Sequence, residues 1–161
     1  MPFVPFYEKF PDLAIKETRV LNVFNLPGLP PDEYGLLELY CDEPGCDCRR
    51  VMFNILRPNS KQPDAVVAFG WESDEFYTKW LGNTPVDVKE LQGPVLNLGS
   101  HQSRLAPVLL QQVKLILEDA KYVERLQRHY AMFRATIDRE EGKFNRRLPL
   151  LKRKKTSRKL R

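Results

Sequence analysis

The sequence predicts an α+β fold in which a small antiparallel β-meander packs against C-terminal helices and is stapled by zinc. Between residues 19 and 71, short apolar runs alternate with turn signals, and the connections are too short for crossover helices. Beyond residue 103, apolar residues recur instead at helical spacing. All three cysteines of the 161-residue chain lie at the end of one predicted strand and in the loop before the next, where they could bind one metal ion.

The strands are predicted from runs of β-branched and aromatic residues bounded by Pro, Gly, Asn and Asp. Before them, the first 18 residues contain three prolines and four aromatic residues. This composition predicts a segment without regular structure that lies against the body of the protein. The four predicted strands are residues 19–25, 34–41, 50–56 and 65–71.

Three helices are predicted after the strands. Ser73 is expected to cap a short helix at residues 74–81, and Gly82 to end it. A second helix is predicted over residues 104–118, and a third from Asp119 or Ala120 to about residue 139, with Gly142 ending it. The apolar stripe of the third helix consists of Tyr122, Leu126, Tyr130, Phe133 and Ile137.

The charge distribution divides the chain into an acidic body and a basic tail. Residues 143–161 hold ten basic and no acidic side chains, which leaves 16 basic and 21 acidic side chains in residues 1–142. We therefore expect one metal-binding domain at 1–142 and a tail at 143–161 that is disordered when free, because like charges repel. The residues expected to contact RNA or DNA phosphates are Lys152, Arg153, Lys154, Lys155, Arg158 and Lys159.

Binding through this tail should be independent of base sequence and sensitive to salt. It would be measured by titrating salt against RNA and DNA binding, with and without residues 143–161. Failure of the full chain to bind either polymer at low salt would contradict the prediction. The alternative is that the tail only keeps the protein soluble.

The spacing Cys-x4-Cys-x-Cys places Cys41, Cys46 and Cys48 within eight residues. Pro44 and Gly45 allow the loop to turn back, so that Cys41 can face the other two. Three adjacent thiolates need a cation, and Zn²⁺ accepts thiolate ligands in tetrahedral geometry. An iron–sulfur cluster ranks second because it commonly takes four protein ligands. Soft anionic ligands quench Lewis acidity, which favours a structural zinc over a catalytic one.

A tetrahedral site needs a fourth ligand, and the chain has two histidines, His101 and His129. His129 shares the inward-facing stripe of the last predicted helix, so we predict it as the fourth ligand and as a link between sheet and helix. His101, Asp42, Asp47 and water are the other candidates. The alternative for His129 itself is a hydrogen-bonded core histidine.

Three motifs extend the cysteine pattern over residues 40–134. They are Tyr-Cys-x-x-Pro-x-Cys-Asp-Cys-Arg-Arg-Val at 40–51, Phe-Gly-Trp-Glu with Phe-Tyr-x-x-Trp at 69–80, and Arg-His-Tyr-Ala-Met-Phe-Arg at 128–134. Together they resemble a group of uncharacterised bacterial proteins, some of which carry a C-terminal SEC-C zinc motif. The resemblance implies a metal site and a bacterial origin but no activity. No Cys-x-Cys follows residue 48 here, so nothing transfers from the SEC-C motif.

These features favour a metal-binding interaction module with a protein partner over an enzyme. Catalytic Ser/His/Asp order and phosphate-binding glycine loops are missing from the sequence. One alternative is a metal-dependent hydrolase in which Glu72 or Asp47 acts as the base. Another is a thiol-based redox or metal sensor. The sequence shows neither an apolar run of about 20 residues nor a secretion signal, so we expect a cytoplasmic protein without membrane contact.

Overall fold

The computed structural model describes residues 3–156, with side chains up to Arg146. It confirms the α+β class: an antiparallel sheet is covered by C-terminal helices. The strands are β1 (Phe3–Pro5), β2 (Arg19–Val23), β3 (Asp32–Cys41), β4 (Arg50–Leu56), β5 (Ala65–Gly70) and β6 (Val95–Leu96). The helices are α1 (Phe6–Lys9), α2 (Pro11–Glu17), α3 (Asp74–Leu81), α4 (Val88–Gln92), α5 (Ala106–Ile116) and α6 (Ala120–Thr156).

The predicted meander forms the centre of the sheet. Strands β2 to β5 pair in chain order, and every pairing is antiparallel. Strand β1 pairs with the end of β3 beside β2, and β6 pairs with β5 at the other edge. Because β1 is an edge strand, Pro5 can lie in it without removing a hydrogen bond from a central ladder.

The two faces of the sheet have different environments. On β4, Val51, Phe53 and Ile55 are at most 1% exposed, whereas Met52 and Asn54 on the opposite face are half-buried. Side chains of α5 and α6 cover the first face, and the predicted stripe of α6 is buried there from Tyr122 to Ile137. The core therefore lies between this face and the C-terminal helices, while the other face stays open in part.

The N-terminal segment is more regular than predicted. Instead of irregular chain it forms β1, α1 and α2. Pro11 lies at the first position of α2, where a missing N–H costs no helical hydrogen bond. The expected packing against the body is confirmed, because Phe6 is only 3% exposed.

The last helix is longer than predicted, and its expected end at Gly142 is wrong. Helix α6 continues to Thr156, so residues 143–156, predicted to be disordered, are helical. One glycine costs a helix about 1 kcal/mol, which is too little to end a helix by itself. Arg146 Nε also donates to the Gly142 carbonyl at 3.0 Å. The division into a body and a basic tail remains a prediction.

Two other elements could not be predicted from the sequence. Helix α4 has five residues and β6 has two, too few for a hydrophobic period to show. By contrast, α3 has the predicted bounds, and Ser73 caps it by accepting from the Phe76 N–H at 3.2 Å. In residues 3–156, no helix has a stretch that is both apolar and long enough to cross a bilayer.

Candidate metal centre

The three cysteine thiols converge on one point at the edge of the core. One sulfur each from Cys41, Cys46 and Cys48 lies within 4.8 Å of the other two. Cys41 and Cys48 are 0% exposed, and Cys46 is partly exposed. The cluster is therefore close enough to bind a metal ion, as its spacing predicts.

The loop between β3 and β4 brings the sulfurs together. Cys41 is the last residue of β3, and the chain reverses in a turn closed by a hydrogen bond of 3.2 Å from Cys46 N to Glu43 O. Within this turn Gly45 has a φ of 72°, a backbone conformation that glycine adopts without a steric penalty. The turn returns Cys46 and Cys48 to the end of β3.

Two tyrosine hydroxyls fix the backbone directly after Cys48. The Tyr77 hydroxyl donates to Arg49 O at 2.8 Å, and Arg49 N donates to the Tyr130 hydroxyl at 3.2 Å. Arg49 has a positive φ of 48°, which is uncommon for a residue other than glycine. Gly70 leaves room for Tyr77, because a Cβ there would overlap the phenol oxygen. Helices α3 and α6 thus both hold the cysteine loop in place.

Burial makes the thiols resist ionisation in the absence of a cation. Desolvation, followed by the neighbouring Cys46 and Cys41, raises the pKa of Cys48 to about 12. Burial likewise raises the pKa of Cys41, although a backbone hydrogen bond at Glu43 and, to a smaller extent, the charge of Arg134 oppose this shift. Three thiolates at this point therefore require a positive charge, and a divalent metal ion would supply it.

The structure does not place His129 among these ligands, so the prediction of a metal-binding His129 is corrected. Its Nδ1 lies 2.7 Å from Glu38 Oε2 and its Nε2 lies 2.5 Å from Glu17 Oε2. The ring is 1% exposed and stacks on Phe6, with centroids 4.4 Å apart. Both ring nitrogens are therefore engaged by carboxylates, and His129 is a hydrogen-bonded core histidine.

The carboxylate partners form a buried network with Tyr40. The Tyr40 hydroxyl donates to Glu38 Oε2 at 2.8 Å, and Glu38 Oε1 has no partner among the described residues. Burial acts to raise the pKa of Glu17, but hydrogen bonds from His129 and Arg128 outweigh it, so this pKa is lowered. The network links α2, β3 and α6 through charged groups in the core.

The other candidates for the fourth ligand lie at different distances from the cysteine loop. His101 is exposed and belongs to the loop that packs at the start of β5, where Ser103 N donates to Asp64 O. The cysteine loop lies at the opposite end of β5, because Arg50 pairs with Gly70. Asp47 is paired with Arg49 through two hydrogen bonds of 2.9 and 3.0 Å. Asp42 and water remain as oxygen donors.

Glu72 and Asp47, which were proposed as a catalytic base, both bind Arg49. Arg49 Nη1 donates to Glu72 Oε1 at 3.2 Å, and the same guanidinium binds Asp47 and lies 4.5 Å from the centre of the Phe76 ring. Glu72 and Asp47 therefore stabilise Arg49 at the surface of the loop. Of the predicted nucleic-acid contacts, positions 152–155 lie in α6, and Arg158 and Lys159 lie outside the described residues.

Sequence reasoning missed the residues that support the loop. Arg134, which is 8% exposed, donates from Nη1 to Cys41 O at 2.8 Å. Together with Tyr130 it connects α6 to the loop, which is the role predicted for His129. The spacing of Tyr130 on the apolar stripe indicates burial only, and nothing in the sequence gives the partner of Arg134 or Tyr77.

Comparison of the chain with protein-family models, with curated proteins and with solved structures finds no match.

Proposed function

We propose that this chain is a metal-binding module in which Cys41, Cys46 and Cys48 hold a structural Zn²⁺. The observation that carries the proposal is the convergence of three sulfurs within 4.8 Å of one another. Tetrahedral zinc with bonds of about 2.3 Å needs sulfurs about 3.8 Å apart, so a small inward movement completes the geometry. Zinc is favoured over an iron–sulfur cluster because the chain has only three cysteines.

The surroundings support a structural role. Two of the sulfurs are fully buried, and the loop is held by hydrogen bonds from α3 and α6. Reactive cysteines are usually partly exposed, so the full burial of Cys41 and Cys48 disfavours the oxidant-sensor alternative. The fourth ligand in this proposal is Asp42 or water.

Zinc content tests the proposal directly. Protein purified under reducing conditions should contain about one zinc per chain by elemental analysis, and a chelator should lower its melting temperature. Cys48→Ser should lose the zinc and the chelator effect together. Asp47→Asn is the matched control from the same loop, and it should keep both because Asp47 binds Arg49. Native protein that neither contains nor takes up zinc would refute the proposal.

We further propose that the basic segment 143–161 contacts RNA or DNA phosphates, independently of the zinc. The salt titration described above tests it. Loss of nucleic-acid binding on truncation, with zinc content retained, would separate the two parts.

A further inference from the structure

Two adjoining clefts lie on the open face of the sheet. The first, of about 510 Å³, has a floor of Leu39, Met52 and Val66 from three neighbouring strands. The second, of about 530 Å³, extends towards α4 and β6. Arg50 and Asn97 line both clefts, and the three cysteines line neither. These clefts are therefore separate from the metal centre.

Arg50 is a buried cation at the junction of the clefts. Its side chain belongs to a residue that is only 8% exposed, and Nε donates to Leu91 O at 2.9 Å. Its Nη2 lies 3.5 Å from Glu90 O, at the limit of a hydrogen bond. No described carboxylate lies within ion-pair distance of Arg50, although a guanidinium carries five N–H donors. Backbone carbonyls supply dipoles but no compensating charge.

A buried charge is stable only when it is paired, which makes an anion the natural complement of Arg50. Among the described residues, Arg50 is the only cation that lines the first cleft, so one negative charge matches it better than two. The second cleft is lined by Glu90, whose charge would repel an anion. The first cleft is therefore the better position for the ligand.

The other residues that line the first cleft indicate the chemistry of the rest of the ligand. Beside the apolar floor, Phe3 forms part of the wall, and Asn54 and Ser100 supply an amide and a hydroxyl. Ligand sites in proteins commonly combine such an apolar surface with a few polar groups that fix orientation. We propose that this cleft binds a small carboxylic acid with an apolar body, its carboxylate on Arg50 and its body over Leu39, Met52 and Val66.

Benzoate is a suitable probe, and benzamide is its neutral counterpart of the same shape. Titration into the full chain, followed by amide chemical shifts, should give saturable shifts at Met52, Asn54 and Val66. Benzamide should bind at least about tenfold more weakly, because it lacks the charge-assisted bonds to the guanidinium. Arg50→Met should weaken benzoate binding by at least about tenfold, and the exposed control Arg104→Met should not.

Arg50 also lies two residues from Cys48, so its charge could instead balance a zinc–thiolate centre alone. In that case native protein would show no saturable shifts in the cleft at millimolar benzoate, and the proposal would be overturned. Equal binding of benzamide, or shifts confined to another surface, would also overturn it. If Arg50→Met does not fold, Ser100→Phe is the second variant, because it keeps the charge of Arg50 and fills the cleft. Undiminished benzoate binding by Ser100→Phe would count against the site.

Discussion

Replacing His129 with leucine is expected to lower the free energy of unfolding by about 3–5 kcal/mol and to leave the metal content unchanged. The imidazole is the hydrogen-bonding partner of Glu38 and Glu17 in the core, at 2.7 and 2.5 Å. Leucine would remove both contacts and leave the Glu38 carboxyl group, which is 5% exposed, with only the Tyr40 hydroxyl as a described partner. A buried polar group that loses its partner keeps the full cost of its desolvation.

Urea denaturation of native and variant protein measures the loss. The double variant His129→Leu/Glu38→Gln should recover part of it, because a buried neutral amide costs less than an unpaired carboxylate. Zinc analysis of the same samples separates this role from metal binding. A loss below about 1 kcal/mol would contradict the network, and loss of zinc together with stability would restore His129 as a ligand.

The burial of His129 could be predicted from the sequence, but its hydrogen-bonding partners could not. Its position on the apolar stripe of α6 correctly predicts burial, because the helical period fixes which face turns inward. Its partners lie 91 and 112 residues away in the chain, and the spacing of apolar residues does not indicate contacts over such a separation. A buried histidine can bind either a metal or a carboxylate, so the tertiary arrangement decides between them.

The cysteine cluster was predictable because its members lie close together in the sequence. Its three thiols lie within eight residues, and Gly45 supplies the positive φ that the turn needs. The central strands were predictable too, from their β-branched and aromatic runs between turn residues. Helix α3 was predictable from its cap Ser73 and from Gly82 at its end. The short β1 was not, because two prolines near the start of the chain argued against a strand. Its pairing with β3 is set by tertiary contact with residues 39–41.

The link between α6 and the cysteine loop is expected to depend on Arg134 rather than on His129. Its Nη1 donates to Cys41 O at 2.8 Å, and its charge opposes the burial that raises the pKa of the Cys41 thiol. Arg134→Met should therefore have two effects. It should destabilise the fold by about 1–3 kcal/mol, since a buried carbonyl loses its donor. It should also weaken zinc binding by about 10–100-fold, because groups that orient metal ligands have effects of this size.

Zinc affinity would be measured by competition with a chromophoric chelator, and stability by urea denaturation with and without zinc. Arg139→Met is the matched control on the same helix, since Arg139 is exposed and its Nε bonds the carbonyl of Ala135 within α6. The control should change neither quantity appreciably. If Arg134→Met lowered stability equally with and without zinc and left the affinity at the native value, Arg134 would support only the fold. A selective loss of zinc affinity relative to Arg139→Met would instead show that the helix positions Cys41 for the metal.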